Sequence, residues 1–354
     1  MFKKLFGSKE KFFNLNIDGV DSPIQISNKE TILQAALREG VKFPHSCRVG
    51  GCTMCKCRLI SGDVKQMTET AYVLTKEELQ QKYVLACQAQ PKSDVQVEVD
   101  FGRISDLPDH KLVTTGASIK EKKALTEDII ELVVSTDDVV EYTAGQYAEI
   151  SIPGKFDEPR AYSYASAGYS DPKQLSFFIR AVPNGEVSNW FVNEAVAGDR
   201  LQIEGPSGDF HLRDASAPMI CIAGGSGLAP VLAVLEEANR QKADRDVVMF
   251  FGARTEKDLY GLDRIEEIKQ SWLGDFKFVP VLSEEADDSD WRGERGFVTD
   301  VFKGYCTPEH QIYMCGPPPM IDAAIKIATD SGVKEEEIFF DKFLDRSAVQ
   351  ASSS

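Results

Sequence analysis

A chain of 354 residues is longer than one ordinary hydrophobic core supports, and 42% hydrophobic with 27% charged residues describes a folded protein of two or three domains rather than a disordered one. A formal charge of -16 and a pI near 4.8 disfavour nucleic acid and anionic lipid as partners; they serve solubility alone, or else suit a basic docking patch on a protein. No apolar run reaches the roughly 18 to 20 residues that span a bilayer, and the first residues lack a signal peptide's apolar stretch, so the expected setting is the cytoplasm, with no transmembrane segment.

From Phe12 the alternation in FFNLNIDG, a Gly-containing turn and the strand-like PIQIS predict a β-hairpin, followed by a helix over TILQAALREG. A cysteine-rich loop comes next, then a strand at KCRLISG, a helical EELQQ and a last strand, VQVEV, near residue 99. These make a small α+β unit over residues 1–100, whose first 11 residues (MFKKLFGSKEK) read as a frayed terminus or a weak surface anchor. The mixed polarity and Pro of FGRISDLPDHK mark residues 101–111 as a linker. Residues 112–213 hold short strands with turn signals between them, the pattern of an antiparallel β-barrel. Over residues 214–346 apolar runs alternate with helices, which predicts an α/β domain with a parallel sheet, and SAVQASSS at 347–354 reads as a disordered tail.

Five of the eight cysteines fall within residues 47–87, while Cys221, Cys306 and Cys315 are scattered beyond residue 220. Reducing conditions keep cytoplasmic thiols free, so metal or redox chemistry explains the concentration better than disulfides. Four residues separate Cys47 from Cys52, two separate Cys52 from Cys55, and Cys87 follows after 31 more. That is the plant-type ligand spacing for a [2Fe-2S] cluster, whose two irons need three thiolates from a wrapping loop and a fourth from a distant segment. Gly50 and Gly51 let the loop turn its amides toward sulfur, which stabilises the charge added on reduction. A four-cysteine zinc site would present two close C-x2-C pairs, and this segment has one. Residues 10–100 thus resemble a plant-type ferredoxin, which implies a β-grasp fold. Two departures are Thr53, where the family often has Gly or Ser, and a fifth thiol, Cys57, expected to be a buried small hydrophobe.

In the barrel segment Arg160-Ala161-Tyr162-Ser163 is followed by Gly185-Glu186-Val187-Ser188, which opens a helix, and by GPSGDF at residues 205–210. A guanidinium suits a pyrophosphate, a phenol packs on a flat aromatic ring, and helix-start amides with a hydroxyl suit a phosphate. The ordered set resembles the RxYS, GxxS and GPxGxF motifs of the ferredoxin-NADP reductase superfamily, over residues 113–345. The resemblance implies that Ser163 hydrogen bonds at flavin N5 and that Ile179 and Arg180 line the flavin. It implies FAD rather than FMN, because members with FMN often carry their ferredoxin at the C-terminus.

MICIAGGSGLAPVLAVLEEA sets Gly224, Gly225, Ser226 and Gly227 between an apolar strand and a helix, where such a loop binds pyrophosphate, although it lacks the G-x-G-x-x-G fingerprint. It resembles the superfamily's GGxGxAP loop. Cys315-Gly316-Pro317-Pro318-Pro319-Met320 resembles the CGPPxM turn, which implies a functional thiol and a place flanking the nicotinamide. The ending IFFDKFLDRS, by the same resemblance, supplies a terminal aromatic over the flavin, Phe343 with Phe340 in reserve; the alternative is that both simply pack a last strand. Beyond the strand VVMFFGA, Glu256 and Asp258 would repel a 2'-phosphate, so NADH is expected over NADPH and Arg254 is read as solvated or adenine-facing.

The domain order resembles the reductase components of multicomponent oxygenases. Through FPHSCRVGGC, FFGARTEKDLY, VPVLSEE and CGPPPM the chain resembles the electron-transfer components of xylene monooxygenase-type systems. The resemblance implies that NADH reduces FAD and that the [2Fe-2S] cluster relays single electrons to an oxygenase or hydroxylase component, with Ser163, Cys315 and Phe343 at the point of exchange. A membrane di-iron hydroxylase is the favoured partner, with the chain peripheral to it; Rieske dioxygenases and soluble di-iron hydroxylases are served by the same domain order. A stand-alone NADH-dependent flavin or quinone reductase would turn over without a protein partner. A redox sensor would need an output module, and every long segment is already assigned.

Overall fold

The computed structural model describes residues 10–70, 73–104, 110–156, 158–168 and 171–343. Outside them lie most of the expected terminal segment 1–11, residues 105–109 of the expected linker and the expected tail 347–354. The described residues form two compact units that divide between residues 107 and 108, and each is taken by itself.

The first unit runs β1 (Phe12–Ile17), β2 (Ile24–Ser27), α1 (Ile32–Arg38), β3 (Lys56–Ser61), β4 (Val64–Gln66), α2 (Lys76–Gln80), β5 (Tyr83–Leu85), β6 (Ala89–Pro91) and β7 (Val95–Glu98). Five strands form a mixed sheet in the order β2-β1-β7-β3-β5, and β4 pairs with β6 apart from it. Alternation decides the faces: Leu15 and Ile17 are buried, and Asn14, between the apolar residues of β1, bonds the Asp94 carboxylate. Thr31 and Gln34 make a reciprocal capping box that starts α1, which buries Ile32, Leu33, Ala35 and Ala36 in the same core. This is the expected α+β arrangement, and Cys57 is indeed a core residue, 1% exposed.

The second unit begins with β8 (Val113–Ala124), β9 (Ile129–Thr136), β10 (Tyr147–Ser151), β11 (Arg160–Ser163), β12 (Gln174–Arg180), α3 (Glu186–Asn193) and β13 (Arg200–Ser207). Its antiparallel sheet has the order β11-β10-β13-β8-β9-β12, and a bridge between Tyr164 and Phe177 brings the two edge strands together, so the barrel is nearly closed. The interior is filled by Leu132, Val134, Ile150, Tyr164, Phe177 and Ile203.

The chain continues with β14 (Met219–Gly224), α4 (Leu228–Arg240), β15 (Val247–Ala253), α5 (Leu262–Ser271), β16 (Phe276–Leu282), β17 (Glu294–Arg295), α6 (Val298–Phe302), β18 (Gln311–Gly316), α7 (Pro318–Asp330) and β19 (Ile338–Lys342). All six strands are parallel, in the order β17-β16-β15-β14-β18-β19. Strand β14 is buried on both faces: Met219, Cys221 and Ala223 join the core under α4 and α5, and Ile220 and Ile222 join the core under α6 and α7. Successive strands run away from β14 in one direction and β18 begins the other, so a switch point lies between them. In an open parallel sheet that is where a crevice forms at the strands' carboxyl ends.

Candidate electron-transfer sites

Backbone conformation shapes the cysteine loop between α1 and β3. Arg48 and Gly50 have φ of 55° and 84°, and a Cβ at position 50 would stand 2.8 Å from the Gln88 side chain and 3.0 Å from the Thr68 hydroxyl. Glycine alone meets both demands. Cys55 and Cys87 are buried and Cys47 and Cys52 half-buried. Among the described residues no three His, Cys, Asp or Glu side chains converge on a single ion; the four thiols stand instead in two hydrogen-bonded pairs, Cys47 with Cys52 and Cys55 with Cys87. Two thiols for each of two irons is the arrangement a binuclear cluster needs. The Cys52 hydrogen bond, with the amides of Val49, Gly51 and Cys52, outweighs burial and holds Cys47 below the ordinary thiol range. Cys52 and Cys55 go the other way, pushed well up by their partner thiols and by burial. Thr68 Oγ1 is buried without a partner at the loop's edge, a spare donor that suits acceptor sulfurs.

Gln88 escaped the sequence reading. Its buried Nε2 donates to the Arg48 carbonyl at 3.2 Å and to Cys87 Sγ at 3.7 Å, strapping the loop to the fourth thiol. The signal was there: an amide side chain directly after the last cysteine, in the otherwise apolar run VLACQA.

In the barrel, Arg160 opens β11, and among the described residues its guanidinium is bonded only locally, to the Pro159 carbonyl at 3.0 Å and to the Glu158 carbonyl and carboxylate, each at 3.3 Å. Tyr162 meets Phe191 edge-on at 5.8 Å. Gly185 caps α3 at its N-terminus. Ser188 differs from expectation: its hydroxyl accepts from the Val182 amide at 3.3 Å and donates to the Gly185 carbonyl at 3.4 Å, so it braces the turn rather than standing free. Val187 and Ile179 are core residues of the barrel, and a ligand would meet them through backbone alone. Lys122, unforeseen, donates to the carbonyls of Phe191, Val192 and Ala195, satisfying the far end of α3 where a cation is favoured.

Around the switch point two loops interlock. A Cβ on Gly227 would lie 2.2 Å from the Cys315 carbonyl oxygen, so the turn after β14 packs directly on the turn after β18. The Tyr260 hydroxyl donates to the Gly225 carbonyl at 2.9 Å and fixes the first turn. The Cys315 side chain is fully buried, and burial followed by the neighbouring Asp341 carboxylate pushes its pKa well up, so the thiol is neutral. Asp341 lies opposite Cys315 in the β18–β19 ladder, and Ser163 Oγ donates to its carboxylate at 3.4 Å. Ser163 and Cys315 therefore come together through Asp341, which was not foreseen; its signal was an acid two residues before the expected terminal aromatic. The Phe343 amide donates to the Gly316 carbonyl at 3.0 Å, which sets this residue beside the same turn, whereas Phe340 packs in the core shared with α6 and α7.

Arg254 is exposed to solvent over part of its side chain, as expected, but its guanidinium is also paired. Its guanidinium bonds Asp258 and, at 3.2 Å, Asp128 of the barrel, and Asp128 also accepts from Arg180 at 2.9 Å. These carboxylates occupy the one guanidinium on this loop that could meet a 2'-phosphate, and they leave its surroundings negative.

Comparisons with known proteins agree with this layout. Residues 15–92 match the 2Fe-2S iron-sulfur cluster binding domain family, residues 116–212 the oxidoreductase FAD-binding domain family and residues 221–326 the oxidoreductase NAD-binding domain family. The chain is 40% identical over 333 residues, 94% of each chain, to the xylene/toluene monooxygenase electron transfer component XylA of Pseudomonas putida. It is 32% identical, again over 94% of each, to DmpP, the phenol 2-monooxygenase reductase component of Pseudomonas sp. strain CF600. Among solved structures, the Amycolatopsis cytochrome P450 reductase GcoB superposes with a TM-score of 0.83 at 33% identity, covering 94% of this chain and 99% of that one. The ferredoxin reductase in carbazole 1,9a-dioxygenase gives 0.78 at 30% identity, covering 96% and 100%.

Proposed function

Because the chain belongs to the family of oxygenase reductase components that join a ferredoxin to FAD- and NAD-binding domains, and so carries electrons from NADH through FAD and a [2Fe-2S] cluster to an oxygenase partner, we propose which of its residues perform each part. Bound FAD takes an electron pair from NADH and the cluster passes electrons on singly. Arg160 trades its local bonds for the flavin pyrophosphate, and Tyr162 lies along the ring. Amides at the start of α3, from Gly185 to Val187, face a phosphate while Ser188 braces their turn and Lys122 fixes the other end of the helix. The nicotinamide nucleotide is held by the amides of Gly224, Gly225, Ser226 and Gly227, with Gly316, Pro317 and Met320 as the opposing wall. Phe343, held beside the Gly316 turn by its amide, would cover the flavin ring. Asp341 aims the Ser163 hydroxyl, and the neutral Cys315 shields that point from water. Cys47 and Cys52 hold one iron, Cys55 and Cys87 the other.

The observation that carries this assignment is the Ser163 to Asp341 hydrogen bond next to Cys315, which brings the RxYS strand of the barrel to the strand ends of the nucleotide sheet. Rapid mixing with NADH tests it. Ser163→Ala should slow flavin bleaching by on the order of a hundredfold, as loss of one donor at a reacting centre does, with FAD content unchanged. An unchanged rate removes Ser163 from the point of exchange. As partner we propose a membrane di-iron hydroxylase of the xylene monooxygenase type, supported by the 40% identity to that system's electron transfer component. A cytoplasmic setting accords with eight cysteines that are all free. Among the described residues no helix is long and apolar enough to cross a membrane.

A further inference from the structure

The net charge of the chain conceals a division. Residues 1–100 hold 14 Lys and Arg against 12 Asp and Glu, whereas residues 101–354 hold 26 against 44. The part that carries the cluster ligands is slightly basic and the rest is strongly acidic. Within the first unit the excess is gathered at a groove of about 450 Å³, rimmed by Lys11, Lys29, Lys65 and Lys92 over Phe13 and Pro91, with no acidic residue in its lining.

The groove is a built feature. The Asn28 amide bonds the Lys11 carbonyl at 2.9 Å and the Lys11 amide bonds Asn28 Oδ1 at 3.0 Å, which joins the ends of β1 and β2. Gln90 Nε2 reaches the Lys29 carbonyl at 2.9 Å and ties that hairpin to β6, where Lys65 lies opposite Gln90 in the ladder with β4. Lys92 has one exposed carboxylate, Asp63, at 3.4 Å. Lys11, Lys29 and Lys65 form no ion pair among the described residues. Four ammonium groups around one concavity repel one another, and the fold supplies little to offset them, although acids outnumber bases in the chain as a whole. The groove is joined to the cluster segment by the chain itself: β6, which ends at Pro91, begins two residues after Cys87.

We propose that this groove docks an acidic segment of the electron-accepting oxygenase component, its carboxylates between the lysines and its chain over Phe13 and Pro91. The proposal rests on the reductase function above and names the surface that function uses. It reverses the partner that net charge suggested, a basic patch, because residues 1–100, which carry the candidate cluster ligands, are the one part of this chain that is not acidic. A recessed apolar floor between the charges suits an extended polypeptide better than a flat lipid surface.

The test uses the full-length protein with both cofactors bound and, as probe, fluorescein-labelled octaglutamate followed by anisotropy at low salt. The peptide should bind, weaken steeply with added salt, and bind about tenfold more weakly to the Lys29→Glu/Lys65→Glu variant, a loss near 1.4 kcal/mol. NADH-driven reduction of ferricyanide and of cytochrome c should be unchanged in that variant. Absence of peptide binding, or equal affinity for the variant, overturns the proposal. So does loss of cytochrome c reduction with FAD and cluster intact, which would assign the lysines to this chain's own acidic unit. Lysine-dependent pelleting with phosphatidylglycerol vesicles, without peptide binding, overturns it in favour of a membrane. Failure of the electron route itself would show elsewhere, as undiminished cytochrome c reduction in Cys87→Ser.

Discussion

The two units build their redox sites in opposite ways. In the first, three of the four candidate ligands, Cys47, Cys52 and Cys55, lie within one loop, and the fourth is strapped to it by Gln88. In the second, the candidate exchange point takes Ser163 from a barrel strand, Gly227 from the turn after β14, Cys315 from the end of β18 and Asp341 from β19. A site confined to a loop depends on its own side chains and a few local amides. A site assembled from four segments depends on sheet register and on how closely the turns approach, so a change that leaves every functional side chain in place can still disable it.

The sharpest break in the comparison comes from the cluster ligands. Cys52→Ser or Cys87→Ser should abolish cytochrome c reduction while NADH-to-ferricyanide activity stays within about twofold, because the flavin unit holds none of the ligands. Loss of both activities with FAD retained would mean that the carriers do not act in the order flavin, then cluster. Next is a substitution that touches no functional side chain. Gly227→Ala sets a Cβ 2.2 Å from the Cys315 carbonyl oxygen and forces the two turns apart, which should cost about 1–3 kcal/mol by calorimetry and raise KM for NADH. Gly304→Ala, whose nearest neighbour stands at 3.6 Å, is the control that should do neither.

Two smaller effects refine the contrast. Asp258→Asn keeps the oxygen that accepts from the Thr255 amide at 2.9 Å but removes a charge from Arg254. The ratio of kcat/KM for NADPH to that for NADH should then rise by on the order of fivefold, modest because the pair is partly exposed. A fall in that ratio would show that Arg254 does not face the ribose. Gln88→Leu should lower the cluster's reduction potential by on the order of 30 mV in an EPR-monitored titration, since an N–H···S bond favours the reduced form. An unshifted potential would leave Gln88 as a packing residue only.

Much of this protein could be read in order along its chain. Cysteine spacing is a covalent property, so the candidate ligand set and the kinship to 2Fe-2S domains needed no structure. Periodicity likewise located the elements: FFNLNI and VQVEV alternate as half-buried strands do, and MICIAG is apolar on both faces because β14 lies between two layers of helices. Motifs with fixed spacing, RAYS, GGSG and CGPPPM, fall at the barrel strand and the switch-point turns that such patterns imply. What remained hidden were partnerships between residues far apart in sequence. Asp341 to Ser163 spans 178 positions and Arg254 to Asp128 spans 126. Lys122 bonds carbonyls about seventy residues on, and the lysine groove gathers residues from 11 to 92. No local pattern encodes such pairs, because each needs two strands or turns to be brought into register before either side chain has anything to meet. The chain's own residues therefore determined which chemistry it carries, and the packing of its sheets decided which carboxylate aims a hydroxyl, which guanidinium is already taken, and where a partner's charge would be welcome.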